Sequence, residues 1–547
     1  MSYRRQKRQT HLGHRNSTKT LTIIDVLPPP HHSDEPLCIC NDPTSNTTPK
    51  KSYILNLPDE LLLPIVELVC TPRGQDYPTY QRASMYDNGG IRVLSSICKR
   101  MKRLAQPFLF KEIVIESPHA LVRPSIKVIK LHRTLERRRD LREFCRALYV
   151  YIPDNNSRDP NPGSYSIALD LADWLRKTRI LSIHGGFTTV DEESKMGNER
   201  TWALLRRMTA SFTDLEQISI SREGWNLYLA PIFKWLAFPN LKSLKVFGIS
   251  GWKEHGDVEL EAEKLRTASF TSLHVSDYEE TPQATHLLLQ WPAKLTEFDF
   301  GSFYNNPHIM DYPMFESWLY IHRDTLTHIS IGYLSRHGST QLFNATLFPN
   351  LAYLKLSRWQ MEPHVDFSGY SPQDGKILGP ALTTFAWDFS IYDQHSEGWC
   401  DFGDAEVNWV RGLAATAVAR KAPLKKIEIK FTPDTCWGTT EEMEYPWDRM
   451  DALRDVYLKP KGFELVYNEP SISKDKWLKY VRTGIFQGWH DDGTQVVDSG
   501  AGEGQDGSGR ESEDDDEKVE GSLDDDISCG YQGEDIRKYF AKEAKRV

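Results

Sequence analysis

Two segments near the amino end place apolar residues at helical spacing, on either side of a polar stretch. Pro58, Asp59 and Glu60 open the first segment, and a proline followed by acidic residues favours the start of a helix. The apolar positions of this helix are Leu61, Leu62, Ile65, Val66, Leu68 and Val69. The second segment shows the three- and four-residue steps of an amphipathic helix, at Ile91, Leu94, Ile97, Cys98, Met101, Leu104 and Ala105. We predict that Pro64 bends the first helix and that Pro107 ends the second.

So wide an apolar surface exceeds what about fifty residues can bury alone, because small domains leave a large fraction of their surface exposed. We therefore expect a second protein to cover part of it. The alternative is an ordinary helical hairpin that caps the following domain of the same chain.

The same residues resemble an F-box. The matching motifs are Leu-Pro-x-Glu-Leu at 57–61, Ile-Cys-Lys-x-Met-x-x-Leu-Ala at 97–105 and Pro-Phe-Leu-Phe at 107–110, within about a tenth of the chain. In that family the helical unit docks on the Skp-type adaptor of a Skp–cullin–F-box ubiquitin ligase. The resemblance implies adaptor contacts at Leu57, Pro58, Leu61, Ile65, Leu68, Val69, Ile97, Cys98 and Leu104. A polar insertion at 71–90 and Pro64 depart from the family pattern.

A six-residue phrase recurs beyond this unit: an apolar residue, two others, a second apolar residue, one other, and a third apolar residue. It begins at Leu215, Leu241, Leu265, Leu295, Leu326, Leu351, Leu382 and Leu424, with steps of 26, 24, 30, 31, 25, 31 and 42 residues. The alternation in each phrase predicts a strand with one face inward. Helical candidates such as Leu229 to Leu236 lie between phrases, and Leu148–Val150 and Leu181–Ile183 are candidate earlier strands.

A strand and a helix at nearly constant period predict a solenoid, in which each repeat covers the apolar face of its neighbour. The pattern is similar to that of leucine-rich repeats, and Pro-Asn precedes both Leu241 and Leu351. The family's asparagine after the final leucine is replaced at Glu223, Ile249, Leu273, Phe303, Leu334, Trp359, Ser390 and Thr432. We therefore expect an irregular solenoid, and a mixed α/β domain with accidental similarities is the alternative.

The predicted fold class is α/β: a small helical F-box unit, then an irregular leucine-rich-repeat-like solenoid, with disordered termini. The predicted units are a basic disordered segment at 1–50, the F-box-like domain at 53–115, the solenoid with its cap at 120–490, an acidic disordered tail at 491–533 and a short helix at 534–547. The net charge of −9 is concentrated, because Glu503–Asp526 holds twelve carboxylates and two basic residues. The chain between the basic and acidic ends is mildly acidic, so we do not expect nucleic-acid binding.

The sequence holds no motif on which to base a catalytic mechanism. We expect neither an enzyme nor a cofactor, and Cys38 and Cys40 lack the spacing and the second ligand pair of a zinc site. No apolar run approaches the length of a membrane helix, and scattered cysteines suit a cytoplasmic or nuclear protein.

The expected function is substrate recognition: the F-box binds the adaptor, and through it a cullin, while the repeats hold an unidentified protein target. Candidate target contacts on the outward side of the repeats are Lys245, Phe247, Asp299, His328, Tyr353, Lys355, Asp388 and Trp359. The alternatives are a protein-interaction scaffold that works without the ligase and an enzyme with its site in the inserted loops.

Overall fold

The computed structural model describes residues 56–70, 89–115, 126–152, 162–187, 196–222, 227–236, 239–250, 259–302, 306, 308–334, 341–361, 372–389, 402–431, 444–470 and 473–483. These residues form an α/β structure with one parallel twelve-stranded sheet. The predicted segments at 1–50, 491–533 and 534–547, and nearly all of the 71–90 insertion, lie outside the described residues.

Each strand of the sheet pairs in parallel with the strand that follows it in the chain, so the order in space is the order in sequence. The sheet is open, with β1 and β12 at its edges. The strands are β1 (Glu112–Ile115), β2 (Ala147–Tyr151), β3 (Ile180–His184), β4 (Gln217–Ser221), β5 (Ser243–Phe247), β6 (Ser272–Tyr278), β7 (Glu297–Ser302), β8 (His328–Ile331), β9 (Tyr353–Ser357), β10 (Thr384–Asp388), β11 (Lys426–Lys430) and β12 (Glu464–Tyr467).

Within the described residues, thirteen α-helices precede the sheet, connect its strands or follow its last strand. They are α1 (Asp59–Cys70), α2 (Gly89–Ile97), α3 (Lys99–Lys111), α4 (Ile126–Arg137), α5 (Pro162–Trp174), α6 (Met196–Ser211), α7 (Leu229–Trp235), α8 (Pro282–Gln290), α9 (Tyr312–Leu319), α10 (Arg358–Met361), α11 (Asp404–Ala419), α12 (Pro446–Ala452) and α13 (Lys474–Thr483). The helix predicted at Leu229 to Leu236 is confirmed as α7.

The core follows directly from the alternation within the strands. One register row of inward residues begins Ile113, Leu148, Leu181 and ends Phe385, Ile427, Leu465, with one residue from each strand. These side chains are buried and belong to one continuous apolar core that extends from Leu62 to Trp477. β1 continues directly from α3, and buried residues of the helical unit and of the sheet belong to the same core.

The strand predicted from the phrase at Leu265 was placed wrongly. The strand at this point is β6, and its in-register phrase is Phe270-Thr271-Ser272-Leu273-His274-Val275. Phe270 takes the place that leucine takes elsewhere and is buried, whereas Leu265 lies in the preceding turn and is partly exposed. Leucine was therefore too strict a requirement at the first position, where any apolar residue of suitable volume fills the core.

Polar side chains join successive strand-and-helix units at the turns. Asn240 and Asn350, from the two Pro-Asn dipeptides, donate through Nδ2 to the carbonyls of Thr213 and Asp324, at 3.0 and 2.9 Å, in each case one unit earlier. Thr296 and Thr327 donate through Oγ1 to the carbonyls of Thr271 and Thr296 at 3.1 and 3.0 Å. The Pro-Asn dipeptide thus marks a hydrogen bond between neighbouring units as well as a turn.

The second amino-terminal helix differs from the prediction in two respects. It is divided at Cys98, which has extended backbone angles and accepts a hydrogen bond from the Met101 amide through Sγ, as the N-cap of α3. Pro107 does not end α3, which continues to Lys111. Leu109 and Phe110 are buried beyond the proline, so apolar burial compensates for the missing hydrogen bond. Pro64 lies within α1, which continues past it to Cys70.

Candidate functional site

Two surfaces stand out, and the first is an apolar face on the amino-terminal helices. We define the apolar helical face as the exposed side chains of Leu61, Leu63, Ile65, Leu68, Val69, Val93 and Ile97. Seven of the fifteen large apolar side chains exposed among the described residues therefore lie within 37 consecutive positions. Leu61, Leu68, Val93 and Ile97 are each more than half exposed, at 56, 63, 62 and 52%. A concentration of this kind is typical of a protein-binding surface.

The helices that carry this face are fixed from behind. Leu62 and Val66 of α1 and Ile91 of α2 are buried with Met101 and Ala105 of α3. Outside the core, the Arg100 guanidinium donates through Nε to Asp59 Oδ1 at 2.7 Å and through Nη2 to the Leu57 carbonyl at 2.6 Å. The same hydrogen bond to Arg100 holds the pKa of Asp59 below its usual range. The apolar helical face is therefore a preorganised surface.

The nine predicted adaptor residues fall into three groups: exposed, half-buried and buried. Leu61, Ile65, Leu68, Val69 and Ile97 are exposed large apolar side chains, and Pro58 is exposed beside them, while Leu57 and Cys98 are half-buried. Leu104 is 9% exposed and packs inward, so it does not belong to the apolar helical face. Leu63 and Val93 were missed, although Val93 lies one helical turn before Ile97 and this spacing could have identified it.

The second surface is the side of the sheet that faces away from the core. We define the polar sheet face as the register row Tyr149, Ser182, Ser219, Lys245, His274, Asp299, Ser330, Lys355, Ala386 and Glu428, together with the outward residues on either side of it. The middle of this row carries the titratable side chains of His274, Asp299, Lys355 and Glu428, whereas the small residues Ser330 and Ala386 are buried.

Asp299 is the central carboxylate of this face. His274 Nδ1 lies 2.7 Å from Asp299 Oδ2, and the His274 ring also contacts Phe247 at 5.1 Å between centroids. Burial alone would raise the pKa of Asp299, but the hydrogen bond and charge of His274, together with Lys355, hold it below its usual range. Asp299 therefore stays ionised and gives this part of the face a fixed negative charge.

A second charged group follows on β9 to β11. Asp388 is almost fully buried, with its Oδ2 3.8 Å from Lys355 Nζ and 3.5 Å from Lys430 Nζ. Tyr353 donates through its hydroxyl to Glu428 Oε2 at 3.4 Å and stacks on His328. Burial first, and then the Glu428 carboxylate, raise the pKa of Tyr353.

Most of the predicted target residues meet on this one face. Lys245, Phe247, Asp299, His328, Tyr353, Lys355 and Asp388 lie on its side of β5 and β7 to β10. The side chain of Trp359 lies outside the part of the chain that the structure describes. His274 was missed because the phrase that leads into its strand was predicted five residues too early, at Leu265 and not at Phe270, and Lys430 was not among the predicted target residues.

Beyond these two surfaces, neither the buried Cys145 thiol nor the possible metal ligands form a reactive site among the described residues. Burial raises the pKa of the Cys145 thiol to about 12, so this thiol stays protonated at neutral pH. Within the described ranges, no three His, Cys, Asp or Glu side chains are grouped to hold a metal ion. The helices that the structure describes are all too short or too polar to cross a bilayer.

No protein-family model matches the chain, and no curated protein is significantly similar to it.

Proposed function

We propose that this protein is a non-catalytic substrate-recognition subunit of a Skp–cullin–F-box ubiquitin ligase. In this proposal, α1 to α3 form the F-box and bind the Skp-type adaptor, which links the chain to a cullin. The strands and helices that follow hold a protein target near the ligase.

The apolar helical face is the observation that supports the proposal most strongly. Fully burying a Leu, Ile or Val side chain contributes about 1.5–3 kcal/mol, and five of the residues that the F-box resemblance assigns to adaptor contact are exposed large apolar side chains. Their combined burial would supply several kcal/mol, a large part of the roughly 8 kcal/mol that a micromolar complex needs. A helical hairpin that only capped its own chain would have no use for this exposed surface.

We further propose that the sheet and its helices are an open, irregular solenoid of the leucine-rich-repeat type. Three features support this: the strand order follows the chain, the phrase recurs in register, and Asn240 and Asn350 make equivalent bonds between units. In such arrays each unit contacts mainly its neighbours and one side of the sheet stays open for binding.

The target would bind to the polar sheet face. Its alternating cations and anions suit selection among partners, because a mismatched charge on a partially buried surface costs several kcal/mol. A ligase subunit of this type would work in the cytoplasm or the nucleus.

Reconstitution with purified components tests the proposal. The full chain is mixed with a Skp-type adaptor, and then with adaptor and cullin, and the mixtures are separated by size-exclusion chromatography. We expect co-elution with the adaptor alone and with both proteins together. Co-elution with the adaptor that excludes cullin would favour the ligase-independent scaffold, and elution of the chain by itself in both mixtures would refute the proposal.

A further inference from the structure

One end of the sheet carries a concentration of positive charge that the proposed function does not use. We define the basic edge as the residues at the amino-terminal ends of β1 to β3 and in the turns before β2 and β3. They are Lys111, Arg137, Arg138, Arg139, Arg142, Arg146, Arg176, Lys177 and Arg179. Only three carboxylates, Glu112, Asp140 and Glu143, lie in the same segments.

The backbone brings these cations together. The Arg146 amide donates to the Lys111 carbonyl at 2.7 Å, and the Arg179 amide donates to the Arg146 carbonyl at 2.8 Å. The three residues therefore occupy equivalent positions on neighbouring strands, which are about 4.8 Å apart in a sheet. The row ends at β4, where Glu216 takes the equivalent position and pairs with Lys242 at 3.3 Å.

Most of these cations form no salt bridge in the described part of the chain, although Glu136 and Asp170 attract Arg142 electrostatically. Arg138 pairs with Asp140 at 2.6 Å, and the other eight cations make no salt bridge with a described carboxylate. Arg146 and Arg176 instead donate to backbone carbonyls, at 2.7 and 3.3 Å. Burial, and then repulsion from Arg139, lower the pKa of Arg142. Uncompensated cations at this spacing repel one another, so an anionic partner would be stabilising.

The chain itself contains a segment of matching charge. Glu503–Asp526 carries twelve carboxylates and two basic residues, a balance of −10, against nine cations and three carboxylates at the basic edge. We propose that this acidic segment docks in cis on the basic edge.

The geometry permits this contact. The described chain ends at Thr483, just after the strand at the opposite end of the sheet, and eleven strand spacings of about 4.8 Å separate β12 from β1, roughly 53 Å. The twenty residues from Thr483 to Glu503 span about 65 Å when extended at roughly 3.3 Å per residue. Because the acidic segment is tethered to the same chain, its local concentration at the basic edge is higher than that of a free acidic peptide.

The docked segment would lie beside the helical unit, since Lys111 is the last residue of α3 and α3 packs against the turn Arg139–Phe144. The proposal is independent of the ligase assignment, because it uses only the charges of this chain.

Zero-length crosslinking of the full chain tests the contact. A carbodiimide joins a lysine amine to a carboxylate only when the two touch, and Lys111 and Lys177 of the basic edge serve as reporters. Lys294, Lys376 and Lys425 are exposed reference lysines elsewhere on the sheet and its turns. We expect crosslinks from Glu503–Asp526 to Lys111 and Lys177 at least five-fold above those to the reference lysines, and a loss of this excess in 0.5 M salt.

Substitutions that leave the reporters in place sharpen the test. R139Q/R176Q/R179Q should lower the crosslink yield at Lys111 and Lys177 at least five-fold, whereas K294Q/K376Q/K425Q, which removes the same charge elsewhere, should not. Crosslinks confined to Lys474, Lys476 and Lys479, or a yield unchanged by the arginine substitutions, would overturn the proposal. In an equal mixture of ¹⁴N- and ¹⁵N-labelled protein, mixed-isotope crosslinks would show docking on a second copy and would overturn the intramolecular contact.

Discussion

His322 connects two neighbouring units through both of its ring nitrogens, and its replacement should destabilise the sheet in a pH-dependent way. The side chain is 2% exposed. Its Nδ1 accepts from the Leu295 amide at 3.2 Å, and its Nε2 lies 2.8 Å from the Leu289 carbonyl, to which it donates. Both bonds together require the neutral imidazole with its proton on Nε2. Arg266 Nη1, 3.3 Å from Nδ1, further disfavours the charged ring.

The size of the expected loss of stability follows from the two backbone groups that lose their partners, the Leu295 amide and the Leu289 carbonyl. His322→Leu removes both bonds while keeping a side chain of similar size, and each unpaired backbone group costs about 1–3 kcal/mol. We therefore expect the free energy of unfolding to fall by about 2–6 kcal/mol. His328→Leu is the matched control, because His328 is exposed on the polar sheet face and its loss should change stability by less than about 0.5 kcal/mol.

The pH dependence has a defined sign. Burial lowers the pKa of His322 below the 6.5 of an unfolded histidine, so between these two values the unfolded state binds more protons than the folded state. The stabilisation by neutral His322 is therefore complete above pH 6.5 and is lost as the pH falls towards the folded pKa, by up to about 1.4 kcal/mol per pH unit. Glu280 acts in the opposite direction, because burial raises its pKa to about 7 and its ionisation destabilises the fold as the pH rises.

Comparison of two proteins isolates the histidine. The thermal midpoints of the wild type and His322→Leu are measured from pH 7.5 to pH 5, and the contribution of Glu280 cancels in the difference. The gap between the midpoints should be largest at pH 7.5 and should narrow as the pH falls below 6.5. A gap that is constant across this range, or no gap at pH 7.5, would refute the reasoning.

Two further sets of substitutions test the polar contacts between elements of the fold. Asn350→Ala removes the hydrogen bond to the Asp324 carbonyl, and Asn240→Ala removes the equivalent bond to Thr213. Each should lower the free energy of unfolding by about 1 kcal/mol in urea titrations. No change in either variant would mean that the repeated bond is not stabilising. Arg358→Met removes the cation whose Nη2 lies 2.8 Å from the buried Glu406 carboxylate, and it should lower the free energy of unfolding by about 3–5 kcal/mol in the same titration. The double variant R358M/E406Q should recover a substantial part of this stability. Equal stability of the single and double variants would contradict a buried ion pair.

The sequence predicted most strands correctly, including β2 and β3 from Leu148–Val150 and Leu181–Ile183, and failed at Leu265, where leucine was required as the first residue of the phrase. Leu295 and Leu351 lead into β7 and β9 as expected. Phe110, Cys145 and Thr178 take the same position before β1 to β3 and are buried, yet one is aromatic, one is a thiol and one is polar. Thr178 is accommodated because its hydroxyl donates to the Leu175 carbonyl at 2.7 Å. The requirement is for volume and satisfied hydrogen bonds, and a leucine template captures only part of it.

The candidate surfaces could be predicted only in part for a related reason. Helical periodicity shows which residues share a stripe, but both sides of α1 are apolar, so the pattern alone does not determine which stripe of that helix faces inward. Leu104 and Ile97 looked equivalent in sequence, yet Leu104 is buried and Ile97 is exposed, because Cys98 begins a new helix between them. On the sheet, the polar face followed directly from strand alternation wherever the strand was placed correctly.

The central claim is that the apolar helical face is a binding surface for a Skp-type adaptor, and the affinity of paired variants tests it most directly. L61A/L68A removes two exposed side chains of this face, and L265A/V456A removes two exposed side chains elsewhere. By calorimetric titration, L61A/L68A should bind the adaptor about 30- to 150-fold more weakly than the wild type, which is a loss of about 2–3 kcal/mol in binding free energy. Its thermal midpoint should be unchanged. L265A/V456A should bind like the wild type. Equal affinities for the two double variants, or no adaptor binding by the wild type, would contradict the account.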